Sequence, residues 1–545
     1  MRNLSDSEID SIKETVKHIS ENRATPAVLA YGSHVAGYAT ADSDYDLIMV
    51  VRPFRQRVRY YYINREAECS VLVVDPKSFE NDCRKSTLGE FVSGRLLNPY
   101  YPIEGATYIS DQEIVFKKRV ILEGLADACA EYAEFVSQVI FPLAYFLFEK
   151  LRKRAAIYPP VVYSYSKTYG NELLLENLDQ SMQGFRTAAE MLDREGKLHF
   201  DKQNDTISIS EKEIHSNLFS RIGAAASYTN KSIRQYAIHG YAGRVKPNVV
   251  GKEVLSKISR SKTAGKLPEY ILNPKNSWSI PVGKLFPNSH DWLTDVKTLV
   301  GMADHDCIVT RQASGELYSS LAIYTLKNNQ KTVKYAVKRY HDITGMKLGV
   351  LNLWSLKNAS FTTNPIERIF REYRAIRELK MFDFNVPDVV SVFLDQKILI
   401  TKFIEGKDLS KLEAEYLNGE TEDTSPFELF GRELARMHLH GYCMGDTKPS
   451  NALLSGDKIY FVDLEQAQPE GNKTWDVAEF IYYSARLTMK EEKARKMINA
   501  FVDGYRGEAK EADTVRASVS LRYRVPFQAF IAPNIMRALR KDLSR

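Results

Sequence analysis

The chain has 545 residues, with 75 Lys or Arg against 69 Asp or Glu and a net charge of +6. That length exceeds one hydrophobic core and implies roughly two to four domains. A hydrophobic fraction of 44% and a charged fraction of 26% fit a soluble globular protein, and the lack of any run of about 18 apolar residues excludes a spanning helix.

Five cysteines, Cys69, Cys83, Cys129, Cys307 and Cys443, are scattered without a close pair. That spacing excludes a zinc framework and a secreted disulfide scaffold. Met1-Arg2-Asn3-Leu4-Ser5-Asp6 lacks the apolar core of a signal peptide. A reduced, cytoplasmic protein with no membrane partner is expected. The mild positive charge permits a nucleotide or RNA partner without requiring one.

In chain order, residues 8–20 predict a surface helix. Ala27–Tyr31 predicts a short strand ending at Gly32-Ser33, and Ser43–Val50 a second strand that alternates at its start. A third runs from Arg65 to Val74 and stops at Asp75-Pro76. These form a small α/β unit over residues 1–112. Residues 113–240 predict a mainly helical domain, with apolar periodicity around Val139–Leu151 and Asn171–Leu192. A hairpin over Gly196–Ser210 turns at Gln203-Asn204-Asp205, and helix resumes over Glu211–His239. Lys231, Arg234 and Arg244 after this hairpin are a candidate RNA contact. Residues 241–300, rich in Gly, Pro, Lys and Ser, predict a connector or small subdomain.

From Cys307 the pattern turns to strands. Leu317–Lys327 and Lys331–Tyr340 predict an antiparallel pair turned at Asn328-Asn329. Pro365–Leu379 predicts a helix with proline in its first turn. Val386–Phe393 and Lys397–Phe403 are two further strands. Residues 411–426 predict an acidic surface loop, Phe427–His440 a helix, and the following residues up to 505 more helix. Segments 301–404 and 405–510 read as two lobes. Residues 511–545 read as a basic tail, with Arg516, Arg522, Arg524, Arg537, Arg540, Lys541 and Arg545.

The first candidate site is Gly32-Ser33 with Asp44 and Asp46. Two carboxylates one residue apart on a strand point to the same face, and such a face can hold magnesium against a triphosphate. Gly32-Ser33 closes a strand just before a helix, where N–H groups and the hydroxyl can receive phosphate oxygens. Two metal ions held there would orient an attacking hydroxyl and stabilise developing charge. Asp42 reads as a turn or surface residue. The Gly-Ser plus Asp-x-Asp pattern resembles the minimal nucleotidyltransferases, the superfamily of DNA polymerase beta and the antibiotic-modifying adenylyltransferases. The resemblance covers the 1–112 segment. It implies nucleotide binding at Gly32 and Ser33, metal ligation by Asp44 and Asp46, and a third carboxylate on a later strand. The expected position falls on Ser70; Glu68, on the same strand face, is the candidate metal ligand in its place. Without that carboxylate, the group placed to activate an acceptor hydroxyl is missing.

The second candidate site is spread over the 301–510 segment. Lys338, in Tyr335-Ala336-Val337-Lys338-Arg339, is a cation on an apolar strand, fit to meet nucleotide phosphates. Glu372 on the next helix is the candidate that holds it, with Glu367 and Glu378 as alternatives on the same helix. Asp446 lies five residues before Asn451 and seventeen before Asp463, an order that phosphoryl transfer requires. Asp446 is the candidate base or orienting group for the acceptor hydroxyl. Asn451 and Asp463 are candidate ligands for Mg2+ (or Mn2+) bridging ATP phosphates, and Lys448 can stabilise charge on the transferred group. Phe403-Ile404-Glu405-Gly406 looks like an inter-lobe hinge, with Phe403 and Glu405 beside the adenine. Asp476 either caps a helix or ties the catalytic loop.

These residues, from Cys307 to Phe501, resemble the protein-kinase-like fold. Its small atypical members are the nearest match: the kinase of the archaeal and eukaryotic tRNA threonylcarbamoylation complex, RIO kinases and lipopolysaccharide-core sugar kinases. Several positions depart from the pattern. Met444 replaces the usual histidine, Leu464-Glu465 follows the metal aspartate in place of Phe-Gly, and Gln312–Glu316 is poor in glycine. Residues 341–364 are an insertion. The interval from Asp463 to Asp476 leaves no room for a standard activation segment, which disfavours a conventional peptide substrate. The expected fold is α+β and multidomain: a nucleotidyltransferase-fold α/β unit, a helical middle region and a bilobal protein-kinase-like fold. The expected function is an ATP-dependent phosphotransferase fused to a metal-dependent nucleotidyltransferase. Its partners would be a nucleoside triphosphate and RNA or a tRNA-modification complex. The alternative is a non-catalytic nucleotide-sensing or RNA-binding scaffold.

Overall fold

The computed structural model describes residues 4–20, 23–170, 174–215, 266–302, 307–315, 319–329, 331–342, 362, 364–509 and 513–544. They fall into two compact units, Met1–Ser279 and Ile280–Arg545. The division lies inside the 241–300 segment. Of the helix expected over Glu211–His239, Glu211–His215 is described. Lys231, Arg234, Arg244 and most of the 341–364 insertion lie outside the described residues.

The first unit is built on a five-stranded sheet. Its strand order is Val58–Asn64, Glu68–Val74, Tyr45–Arg52, Ala24–Tyr31, Tyr100–Glu104. Tyr45–Arg52 and Glu68–Val74 run parallel and the other neighbours antiparallel. The parallel pair carries the apolar runs Leu47–Val51 and Val71–Val74, every residue of which is buried. A strand buried on both faces needs such an unbroken run rather than alternation. The strand expected from Arg65 is instead a hairpin: Val58–Asn64 is its first arm, and the second starts at Glu68. In the first arm Tyr60 and Tyr61 are only partly buried and Tyr62 is exposed. That is the profile of a sheet edge, and it masked the strand. Asp75 ends the second arm and caps the helix Pro76–Lys85, its carboxylate accepting from Lys77 and Ser78 N–H.

A single helix, Ala106–Tyr132, runs through residue 112 and leads into Leu143–Ile157, Val161–Tyr169 and Leu174–Arg194. The hairpin turned at Gln203-Asn204-Asp205 is present as His199–Asp201 and Thr206–Ser208. The helices are tied to the sheet beside Gly32-Ser33. Asn177 Nδ2 donates to the Ala36 carbonyl at 3.1 Å, the Tyr38 and Ser164 hydroxyls meet at 3.3 Å, and Gln180 donates to the Tyr100 carbonyl at 2.8 Å.

The second unit is bilobal. Its first lobe is a six-stranded sheet in the order Ile308–Gly315, Ser319–Lys327, Thr332–Tyr340, Ile398–Lys402, Val389–Phe393, Lys284–Phe286. The last strand pairs in parallel and comes from the 241–300 segment. The helix Pro365–Met381 packs on this lobe. Asn364 caps it through Ile366 N–H, and Pro365 fills its first turn. The second lobe is helical, with Ser425–Leu439, Lys473–Ala485 and Glu491–Ala509 around a small hairpin, Ala452–Ser455 and Lys458–Phe461.

Two expectations are corrected here. Residues 411–426 are a loop only over 419–424: Leu409–Asn418 is a helix, capped by Asp408 through Lys411 N–H and ended by Gly419 in the left-handed region. Its Leu409, Glu413 and Tyr416 are buried, a face that the surrounding acidic residues hid. Residues 511–545 are not a free tail over the described stretch. Pro533–Leu543 is a helix that buries Ile535, Met536, Leu539 and Leu543, and Asp542 takes the Arg495 guanidinium at 2.7 Å. No helix among the described residues is long and apolar enough to cross a membrane.

Candidate functional site

Register places the polar groups of the first unit. Tyr31 pairs with Asp46, Asp46 with Ser70, and Ser70 with Tyr62. Laterally paired residues share a sheet face, so Asp46 and Ser70 lie side by side. Asp44 sits just before the strand, and its Oδ2 accepts from the Ser70 hydroxyl. Gly32 has φ +80, and a Cβ there would collide with the Asp46 carboxylate. Glycine is therefore required twice over, by backbone and by space. Ser33 opens the short helix Ser33–Ala36.

Glu68 is exposed and pairs laterally with Asn64. Ser70, not Glu68, is the side chain in contact with Asp44. Asp44, Asp46 and Glu68 do not converge into a three-ligand group among the described residues. Arg95 was not anticipated: its Nε donates to the Tyr31 hydroxyl at 2.8 Å and its Nη2 to the Tyr60 hydroxyl, over the Phe91 ring. The loop before it is fixed by buried Asp82, which accepts from the N–H groups of Leu88, Glu90, Val92 and Ser93. Arg95 follows that loop in the 3-10 turn Ser93–Leu97, a placement that only the folded chain makes visible.

In the second unit, Lys338 projects from the middle strand Thr332–Tyr340 and is buried. Its ammonium meets Glu372 Oε2 at 2.8 Å, Glu465 Oε2 at 3.0 Å and the Asp463 carboxylate. Of the three glutamates on the helix, Glu372 is thus the one that reaches it. Arg368, fully buried on the same helix, holds both Glu465 oxygens at 2.8 Å. The cluster sets three carboxylates against two cations. Burial pushes the Lys338 ammonium down, but Asp463, Glu372 and Glu465 outweigh it and its pKa rises. Burial raises Glu465 too, yet Lys338 and Arg368 prevail and hold it down at about 2. Burial raises Glu372 and Asp463.

Asp463 adopts φ 54, ψ 52. The left-handed region costs a non-glycine residue roughly 1–2 kcal/mol, a strain that points to function rather than stability. Glu372, Asp463 and Glu465 form one of two three-ligand groups among the described residues, a donor set that fits a hard divalent cation, although here their oxygens meet the Lys338 and Arg368 cations. The other group, His438, Cys443 and Asp476, is already satisfied. His438 bonds Tyr505 through Nδ1 at 2.7 Å and Asp476 through Nε2 at 3.1 Å, and burial pushes the Cys443 thiol up.

The loop carrying Asp446 is fixed from below. Asp476 accepts from Met444 N–H at 2.6 Å and Gly445 N–H at 2.9 Å. It therefore ties the loop; the cap of its own helix is Asn472. Gly445 has φ +74, and a Cβ there would lie 2.5 Å from the Gln466 carbonyl. Asn451 Nδ2 donates to the Asp446 carbonyl at 3.0 Å, and its Oδ1 accepts from the Ser450 hydroxyl at 3.2 Å. Lys448 meets Asp446 at 2.8 Å. Burial pulls the Lys448 ammonium down and Asp446 more than restores it.

Glu479 was also missed. It is fully buried under the loop and accepts from Thr447 N–H at 2.8 Å and the Thr447 hydroxyl at 3.2 Å. Burial and then Asp446 push its carboxyl well above the ordinary range. Its spacing after Asp476 is the only sequence signal for it. At the hinge, Phe403 N–H is used on the Lys334 carbonyl at 3.1 Å, and the Glu405 side chain is on the surface with Lys334 at 2.7 Å.

With this geometry in view, residues 354–478 match the RIO domain family model. The KEOPS complex subunit Bud32 of Pyrococcus abyssi is 36% identical over 102 residues, 19% of this chain and 46% of that protein. A probable bifunctional tRNA threonylcarbamoyladenosine biosynthesis protein of Methanosphaera stadtmanae is 25% identical over 144 residues, 26% of each. A probable serine/threonine-protein kinase BUD32 homolog of Archaeoglobus fulgidus is 28% identical over 100 residues, 17% of this chain and 48% of that protein. The chain thus spans about half or less of the length of the curated relatives it matches. Its C-terminal part resembles Bud32 and RIO-like atypical kinases.

Proposed function

We propose that the second unit is an ATP-dependent phosphotransferase of the atypical-kinase type, attached to a metal-dependent nucleotidyltransferase. The observation that carries the kinase reading is the convergence on Lys338. A strand lysine is held by a helix glutamate at 2.8 Å and touches Asp463, the carboxylate after the small hairpin. In this reading Lys338 receives the phosphates and Glu372 holds it in place. Asp463 and Asn451 are the residues that would hold a magnesium ion, which supplies charge neutralisation at the phosphates when bound. Asp446 accepts or orients the acceptor hydroxyl's proton, and Lys448 stabilises charge on the transferred group. Backbone groups of the Phe403–Glu405 segment, other than the Phe403 N–H, take the adenine.

For the first unit, Gly32, Ser33, Asp44 and Asp46 are the nucleotide and metal residues, with Ser70 where a third carboxylate would stand. Two carboxylates in place of three support nucleotide binding with slow or substrate-assisted transfer. The short interval from Asp463 to Asp476 favours a small-molecule or RNA-associated acceptor over a peptide. Relatives named for the KEOPS complex and for tRNA threonylcarbamoyladenosine biosynthesis support a role beside tRNA.

Incubating the full chain with magnesium and ATP labelled at either the alpha or the gamma phosphate, with and without tRNA, separates the two chemistries. Gamma-label transfer that is lost in Asp463→Ala is the expected kinase result. Activity unchanged by Asp463→Ala overturns the kinase assignment. Tight ATP binding with transfer of neither label favours a nucleotide-sensing scaffold.

A further inference from the structure

A kinase-like site needs its helix glutamate held against the strand lysine. Where an activation segment is present, that segment can control the helix position. Here only the short stretch between Asp463 and Asp476 follows the metal aspartate, so the helix has to be held by something else. Arg368 lies one turn before Glu372 on the helix Pro365–Met381 and is completely buried. Both oxygens of Glu465, two residues past Asp463, accept from its Nη2 at 2.8 Å. The same Glu465 reaches Lys338 at 3.0 Å. Tyr340 closes the cluster: its hydroxyl donates to Glu372, and Lys338 and Arg368 both lie over its ring, at 5.1 and 5.3 Å.

We propose that the Arg368–Glu465 pair is a built-in clamp that locks the helix Pro365–Met381 onto the metal loop. It keeps Lys338 and Glu372 assembled before nucleotide arrives and without any covalent modification of the chain. This rests on the kinase reading of the second unit. Physically, a buried guanidinium and carboxylate hold each other because separating them strands two charges in a low-dielectric interior. The bond joins the helix directly to the metal loop and does not pass through Lys338, so it survives when Lys338 turns to a phosphate. Glu465 occupies a position where glycine is usual, and glycine has no side chain with which to make this contact. Arg368 and Glu465 are thus positioning residues, acting through Lys338, Glu372 and Asp463.

The test has two arms on the full chain. In the first, amide hydrogen exchange of the wild-type protein is followed with and without Mg–ATP. The clamp predicts that peptides from 365–381 are already protected without nucleotide and gain little on binding. A gain above about ten-fold in protection, equivalent to about 1.4 kcal/mol of ordering on binding, overturns the clamp. In the second, Mg–ATP affinity is measured for wild type, phosphatase-treated wild type and Glu465→Gln. Phosphatase treatment is expected to change nothing. Glu465→Gln, which keeps the side chain's shape but loses its charge, is expected to weaken binding about ten-fold and to raise exchange across 365–381. If wild type binds Mg–ATP and Glu465→Gln binds equally well with the helix still protected, the clamp is wrong and the kinase reading stands. If wild type binds no Mg–ATP, both are wrong.

Discussion

Replacing Lys338 by methionine removes the cation shared by Glu372, Asp463 and Glu465 but keeps the bulk of its stem. Removing one partner of a buried pair costs about 3–5 kcal/mol, because the other charge is left uncompensated. Arg368 still holds Glu465 at 2.8 Å, so the loss falls on Glu372 and Asp463, and the lower figure of about 3 kcal/mol applies at alkaline pH. A stranded carboxylate escapes by taking a proton. In the wild type burial already raises the Glu372 and Asp463 carboxyls against the lowering effect of Lys338, so removing the ammonium raises them further. The sign follows: a carboxyl whose folded pKa exceeds its unfolded value loses stability as pH rises between the two. The variant is therefore expected to lose about 3 kcal/mol relative to wild type at pH 8 and less at pH 5. Urea titrations read by hydrogen exchange on second-unit peptides measure this separately from the first unit. Equal losses at pH 5 and pH 8, or a loss at pH 8 below about 1 kcal/mol, would refute the charge-stranding argument.

Burial pushes the Glu413 carboxyl from 4.5 to about 8, with the Ser484 hydroxyl bond and Arg486 opposing it. The folded protein holds that proton more tightly than the unfolded chain, so this contribution is complete below about pH 4.5 and is lost as pH rises to about 8; Glu413→Gln should flatten second-unit stability across that window, seen as melting midpoints at pH 5.5 and 8. Glu479→Gln keeps an oxygen that accepts from the Thr447 N–H and hydroxyl and should leave gamma-label transfer unchanged, whereas Glu479→Leu strips both bonds and should lower kcat more than it raises KM. Gly32→Ala forces a side chain onto the Asp46 carboxylate at φ +80; it should destabilise the first unit by more than about 1 kcal/mol and weaken nucleotide binding there, and a neutral result in both assays would refute the close-approach argument.

The second site was more legible in the sequence than the first. Asp446, Asn451 and Asp463 sit on one loop and one hairpin, so their spacing along the chain nearly equals their arrangement in space. The Lys338–Glu372 pair followed from strand and helix order, yet Glu367 and Glu378 were equally good in one dimension. Helix rotation chose Glu372, at 2.8 Å from the ammonium. Helix Leu409–Asn418 was missed because its exposed acidic residues outnumber its buried ones, and only neighbours define a buried face. In the first unit, the alternation of Asp44 and Asp46 was readable and counting placed the third position on Ser70, but whether Glu68 could stand in for it was not readable. Cross-strand register, which no local pattern encodes, set Ser70 beside Asp46 and left Glu68 exposed.

The sequence by itself determined the order of the parts, the Gly-Ser and Asp-x-Asp pattern, and the loop from Gly445 to Asn451, because each is a short-range pattern of backbone and chemistry. Tertiary structure alone decided which carboxylates meet Lys338. It also decided that Glu465 is clamped by Arg368, and that Asp476 and Glu479 hold the loop from beneath. Those are contacts between residues about 30 to 125 positions apart, and burial sets their strength: charges that would be screened in water dominate once packing has removed the water.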